Sequence, residues 1–275
     1  MRPRLFGLAY RMLGSAAEAE DVVQDAWLRW QGTDRDAVNE PAAFLVTTTT
    51  RLAINVAQAA RTQRETYIGP WLPEPIDTRA DPHVGTENGE ALGMALLQLL
   101  EALTPTERAA YVLREAFDYS HREIADILGL EEANVRQLAA RAKKHVGEER
   151  RRPVDTAALR PLFDAFVVAA RAGDVKALEA LFAADVASYT DGNGIVKAAR
   201  VPVLGRERVA KFIGGFAGHF WDDVDFEVIE ANGAPAMLLR RGGTPFALGT
   251  LDASPDGITK LFWVMSPPKL ARIAG

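Results

Sequence analysis

At 275 residues, 48% of them hydrophobic, the chain has the length of about two globular domains and enough apolar side chains to give each a core. It contains no cysteine, which excludes disulfides, thiolate nucleophiles and Cys-based zinc sites. A net charge of −5 argues against a uniformly basic nucleic-acid binder, but residues 133–152 gather Arg136, Arg141, Lys143, Lys144, Arg150, Arg151 and Arg152 against only Glu148 and Glu149.

In chain order, the first 64 residues read as three helices. Arg4 to Leu13 has an apolar face stopped by Gly14-Ser15, Ala16 to Trp30 follows, and Pro41 opens a third helix at the position where proline is tolerated. Thr47 to Thr50 is a weak stretch for that helix, and Gln31 to Glu40 is a polar loop. The N-terminus is amphipathic and lacks a small-residue cleavage site, and no run approaches the ~18 to 20 apolar residues of a membrane span, so a cytoplasmic protein with no membrane partner is expected. From Tyr67 to Asn88 the chain turns to Gly, Pro and acid, a linker in which the bulky Trp71 and Leu72 are expected to dock on something.

The segment Leu103 to Val146 carries the clearest chemistry. Ser120 with Glu123 forms a capping box that opens a helix with Ile124, Ile127 and Leu128 on one face. Gly129 permits a tight turn, and a second helix from about Ala133 buries Val135, Leu138 and Ala139 while turning Arg136, Gln137, Arg141 and Lys144 elsewhere. That is a helix-turn-helix pattern, in which the second helix enters the major groove, where Arg reads guanine, Gln reads adenine and Lys neutralises phosphate.

After Pro153 two helices (about Ala157 to Arg171 and Val175 to Phe182) precede short alternating segments separated by turn signals at Asp191-Gly192-Asn193-Gly194, Asn232-Gly233, Arg241-Gly242-Gly243 and Asp256-Gly257. A further helix, Gly205 to Phe220, interrupts them. Helices followed by an antiparallel meander imply an α+β domain in which a curved sheet wraps helices, with aromatic residues that fill its core or line a pocket.

AYRMLGSAAEAEDVVQDAWLRW, WLPEP, and LTPTERAAYVLREAFDYSHREIADILGLEEANVRQLAARAKKHV together resemble an extracytoplasmic-function sigma factor of bacterial RNA polymerase. The narrower resemblance is to the subgroup with a SnoaL-like C-terminal extension, marked by WLPEP (Trp71, Leu72, Pro73, Glu74, Pro75), a DGGGK-like turn (Asp191, Gly192, with Lys197 displaced by two residues) and an NPDKL-like tail (Ser266-Pro267-Pro268 with Lys269 and Leu270).

The resemblance implies a multidomain chain: sigma region 2 at 1–66, a linker at 67–90, sigma region 4 at 91–150, both sigma domains all-α, and a cone-shaped α+β SnoaL-like domain at 154–275. It implies core RNA polymerase and promoter DNA as partners. Asp21, Gln24, Asp25, Trp27 and Leu28 would grip polymerase. Arg51, Asn55, Gln58, Arg61 and Arg64 would meet the −10 element, with a flipped base held at the Gln31–Glu40 loop. Arg136, Gln137, Arg141 and Lys144 would read the −35 element, and the WLPEP, DGGGK-like and NPDKL-like residues would couple the domains. No metal or cofactor and no catalysis are expected. The alternative is a C-terminal domain that senses a small-molecule effector or is weakly enzymatic, with Tyr189, Asp191, His219, Asp222 and Asp223 as candidates.

Overall fold

The computed structural model describes residues 1–64, 66–78, 93–149, 154, 156–218 and 220–273. The chain divides into two compact units. The first takes the N-terminal residues through Thr66 and the segment from Leu96 onward to the end of the helix-turn-helix; the second takes Tyr67 to Thr78, Gly93 to Ala95 and the C-terminal residues from Val154.

In the first unit, α1 (Arg2–Leu13), α2 (Ala16–Gln31) and α3 (Pro41–Arg64) form a helical bundle. Gly14 ends α1 in the left-handed region (φ 64°), and the next residue, Ser15, caps α2 by accepting the Glu18 N–H, so two helices meet across a two-residue turn. Leu8, Tyr10, Met12 and Leu13 are essentially inaccessible, as are Val22, Val23 and Ala26 on the inner side of α2. The threonine run stays helical because it is buried: Thr49 and Thr50 are inaccessible, and the Thr50 hydroxyl donates back to the Val46 carbonyl at 2.8 Å.

The same unit contains α4 (Met94–Glu101) from Leu96 onward, α5 (Pro105–Tyr111), a π-helical turn at Val112–Ala116, α6 (His121–Leu128) and α7 (Glu132–Glu149). Two reciprocal capping boxes, Thr104 with Glu107 and Ser120 with Glu123, start α5 and α6. Gly129 (φ 68°) ends α6 in the conformation that a side chain would strain. Ile124 and Ile127 of α6 and Val135, Leu138, Ala139 and Ala142 of α7 are buried, so the helix-turn-helix has its own apolar seam.

The second unit is α+β, as the sequence suggests. Its helices α8 (Thr156–Ala172), α9 (Val175–Leu181) and α10 (Arg206–Gly214) pack on a sheet of β1 (Phe182–Asp191), β2 (Val203–Leu204), β3 (Asp225–Ala231), β4 (Ala234–Arg241), β5 (Thr244–Ser254) and β6 (Gly257–Val264), followed by a short α11 (Pro267–Leu270). The strand order is β2-β1-β6-β5-β4-β3. Three expectations are corrected here. The sheet is not wholly an antiparallel meander, because β1 pairs with β6 in parallel while β3 to β6 form the meander. The inserted helix ends at Gly214, not Phe220, where Gly214 lies so close to Val175 and Gly173 that a Cβ there would meet Val175 at 2.9 Å. Asp191 is the last residue of β1 and fully buried, so the turn begins after it.

The sheet is covered on both faces. Met237, Leu239, Leu261 and Trp263 face the helices with Phe163, Phe166 and Leu178; their strand neighbours Leu238, Phe262 and Val264 face the other way with Leu72, Leu248, Leu270 and Ile273. Among the described residues no helix is long and apolar enough to cross a membrane.

Candidate functional site

The expected polymerase-gripping residues lie on one side of α2. Asp21, Gln24, Asp25, Trp27 and Leu28 are all exposed, while Val22, Val23 and Ala26 between them are buried. Trp27 and Leu28 keep 50% and 54% of their surface in water, a large apolar exposure that folding of this unit does not explain. A groove beside them is lined by Leu5, Val23, Gln24, Trp27 and Leu45.

The expected DNA-contacting residues divide into two groups. Asn55, Gln58 and Arg61 project from α3 into solvent. Arg51 and Arg64, on the same helix, are tied down within the unit. Arg51 Nε donates to the Ile127 carbonyl at 2.9 Å, at the C-terminal end of α6, where unpaired carbonyls and the helix dipole favour a cation. Arg64 donates to the Leu13 carbonyl at 2.9 Å at the end of α1 and pairs with Glu101. Glu101 also pairs with Arg108 at 2.6 Å, and Arg108 donates to the Met12 carbonyl at 2.6 Å. Burial, with the Arg61 cation adding to it, lowers the Arg108 pKa to about 10, which still leaves the side chain charged near neutrality. Two arginines and one glutamate thus satisfy the last carbonyls of α1 and bind α3 to the α4–α5 segment. Arg51 does the same between α3 and α6.

Next to the Gln31–Glu40 loop, a groove of about 780 Å³ is lined by Arg29, Thr33, Phe44, Thr47, Thr48 and Arg51. Its aromatic lining residue is Phe44, which packs against Trp30 with ring centroids 5.5 Å apart, and Arg35 lies over the Trp30 ring. Basic, hydroxyl and aromatic groups in one groove suit an unstacked base and its phosphates. On α7, Arg136, Gln137, Arg141 and Lys144 are all exposed. Arg136 pairs with Glu132, Arg141 with Glu107 at 3.2 Å, and Lys144 with Glu148 at 3.7 Å, all surface pairs that a phosphate can displace at small cost.

In the second unit the linker and the two C-terminal motifs meet at Asp191. Its carboxylate accepts from the Tyr67 hydroxyl at 2.5 Å, from the Leu72 N–H at 2.9 Å and from Lys269 Nζ at 2.7 Å. Lys269 also donates to the Leu72 carbonyl, and its ammonium lies 4.2 Å from the Trp71 ring centroid. Leu72 is fully buried in the second face of the sheet with Leu270; Pro73, Glu74 and Pro75 are buried too, and Glu74 pairs with Arg272 at 3.7 Å. Farther along, Ile76 N–H donates to Asn232 Oδ1, Asn232 N–H donates to the Ile76 carbonyl, and Thr78 Oγ1 donates to Glu230. Asp77 bridges Ala231, which adds the linker to the edge of β3.

Gly192 makes the turn after Asp191, where a Cβ would lie 2.7 Å from that of Ala198. Lys197 does not join this cluster; it lines a cavity on the helical side of the sheet. Glu230, Asn232 and Arg272, which also hold the linker, were not singled out from the sequence; only the Asn232-Gly233 turn signal marked the place. Of the candidate catalytic residues, Asp191 belongs to the clasp, Asp222 and Asp223 are exposed, and His219 lies outside the described residues.

Residues 1–65 match the Sigma-70 region 2 family, and residues 93–146 match Sigma-70, region 4. Over 228 residues the chain is 36% identical to the ECF RNA polymerase sigma factor SigJ of Mycobacterium tuberculosis, spanning 80% of this chain and 72% of that protein. It is 28% identical over 298 residues to the ECF RNA polymerase sigma factor SigG of the same organism, spanning 94% and 77%. The crystal structure of the Mycobacterium tuberculosis SigJ matches with a TM-score of 0.80 at 30% identity, covering 98% of this chain and 96% of that one.

Proposed function

Because the chain belongs to the extracytoplasmic-function RNA polymerase sigma factors, we propose that it acts in the cytoplasm, grips core polymerase through the exposed side of α2, reads promoter DNA with α3 and α7, and is regulated in cis by its C-terminal domain. The observation that carries the regulatory part is the clasp at Asp191. Residues 67–78 are the first part of the chain between the two promoter-reading regions, and the clasp takes them onto the C-terminal sheet. That length of extended chain reaches about 40 Å. The two promoter elements lie roughly two DNA turns apart, so withholding this reach lowers the fraction of molecules able to engage both. Arg51 and Arg64 work in the same direction, since their bonds to the ends of α6 and α1 must be given up before those side chains can serve DNA.

The C-terminal domain is a regulator in this reading, not a catalyst. Asp191 is committed to three donors in the clasp, and among the described residues no carboxylate lines the cavity. Runoff transcription from genomic fragments with core polymerase tests the assignment. Transcripts that depend on the chain are expected; none above polymerase alone would refute it.

A further inference from the structure

A cavity of about 420 Å³ lies between α8, α10 and the helical face of the sheet, within the ~300 to 1,000 Å³ range of small-molecule sites. Its wall is dominated by Phe212, Phe216, Phe220, Trp221 and Trp263. The rings are arranged edge to face: Phe212–Phe216 centroids lie 5.1 Å apart, Phe216–Phe220 5.7 Å and Phe220–Trp221 5.2 Å. Gly249 opposite Trp263 gives that ring its place, since a Cβ there would lie 2.7 Å from it. Phe216 remains 45% exposed, an unusual position for a phenylalanine unless something covers it.

Among the described residues, Lys197 is the one cation that lines this space, whose only other polar side chain is that of Thr190. Lys197 is exposed, and neither a carboxylate nor a hydrogen-bond acceptor pairs with it among the described residues. An aromatic wall with a single unpaired ammonium selects a molecule with a flat apolar body and one negative charge.

We propose that this cavity binds an aromatic carboxylic acid, its ring among Phe212, Phe216, Phe220, Trp221 and Trp263 and its carboxylate on Lys197. The site adjoins the clasp through the chain itself. Thr190 and Met265 line the cavity; Thr190 precedes Asp191, and the Met265 N–H donates to the Asp191 carbonyl at 2.8 Å. The consequence for transcription rests on the proposed regulation in cis, whereas binding does not.

Titration of the full chain with 2-naphthylacetate, its neutral amide and decanoate, followed by tryptophan fluorescence, tests the proposal. The acid is expected to saturate one site. Lys197→Ala should weaken the acid about tenfold and leave the amide unchanged, and Phe216→Ala should weaken both. Lack of saturable binding by the acid, equal loss of acid and amide in Lys197→Ala, indifference to Phe216→Ala, or decanoate binding as tightly as naphthylacetate would each overturn it. None of these results touches promoter-dependent transcription, so a failure here is distinguishable from failure of the sigma assignment.

Discussion

Asp191 and Lys269, 78 residues apart, form a buried ion pair at 2.7 Å whose two members hold the successive peptide groups on either side of the Leu72 Cα: the carboxylate takes the N–H of Leu72 and the ammonium its carbonyl. Asp191 is fully buried and the Lys269 side chain only 14% exposed. Removing one partner leaves the other charge stranded, at a cost of about 3 to 5 kcal/mol, while replacing both costs less. Lys269→Met should therefore lower the denaturation midpoint of the C-terminal unit, and Asp191→Asn combined with Lys269→Met should lower it by less than the two single changes added together. Amide exchange at Leu72 should accelerate in Lys269→Met. An additive double substitution would show that the two residues do not act as a pair.

On the side of α2 proposed to meet polymerase, Trp27 and Leu28 are half exposed. Their truncation to Ala should leave the melting temperature nearly unchanged and weaken core polymerase binding by about 2 kcal/mol or more for Trp27. Fluorescence anisotropy with labelled chain reads the binding; equal affinity in both variants would remove α2 from the interface.

The proposed reading of DNA by α7 separates base contact from phosphate contact. Arg136→Ala should cost about 1 to 3 kcal/mol at one promoter position and relax specificity there. Lys144→Ala should weaken binding across sequences alike and reduce the salt slope by about 1. Filter binding of the holoenzyme at several salt concentrations distinguishes the two patterns.

Acid should loosen the DNA-reading half through its helix caps. Hydrogen bonds from Thr104 and the adjacent Arg141 cation hold the Glu107 carboxyl below its usual 4.5, and hydrogen bonds from Ser120 lower Glu123. A carboxylate whose pKa is lowered by folding contributes stability that is complete above 4.5 and disappears as the pH falls through the lowered value. Thr104→Ala removes the side-chain hydrogen bond and leaves the backbone bond and Arg141, so it should reduce the Glu107 part of this dependence and cost about 1 kcal/mol near neutrality. Melting temperatures from pH 7 to 3 check it; parallel curves for the variant and the parent would contradict it.

Local signals made several helix ends legible: Gly14-Ser15, Pro41 and the Ser120–Glu123 box mark ends by local backbone and side-chain chemistry, while the Thr104–Glu107 box emerged only from the structure. The parallel pairing of β1 with β6 was not legible, because it depends on how the meander returns and not on any short pattern. The two-sided burial of the sheet left a trace: Ala236-Met237-Leu238-Leu239 and Leu261-Phe262-Trp263-Val264 are unbroken apolar runs, without the alternation of a sheet wet on one face. Asp191 was read as a turn residue because Asp precedes Gly-Asn-Gly; its burial is set by Tyr67, Leu72 and Lys269, all distant in sequence. The roles of Arg51 and Arg64 as helix-end caps likewise come from tertiary neighbours, which a basic residue on an amphipathic helix does not announce.

Runoff transcription with core polymerase, comparing the parent chain with Tyr67→Phe and Lys269→Met, tests the regulatory clasp most directly. Both substitutions remove a donor to Asp191 and leave α2, α3 and α7 intact. The account predicts more transcript from both variants, with the larger increase from Lys269→Met. Transcript levels unchanged or lower in both would contradict it.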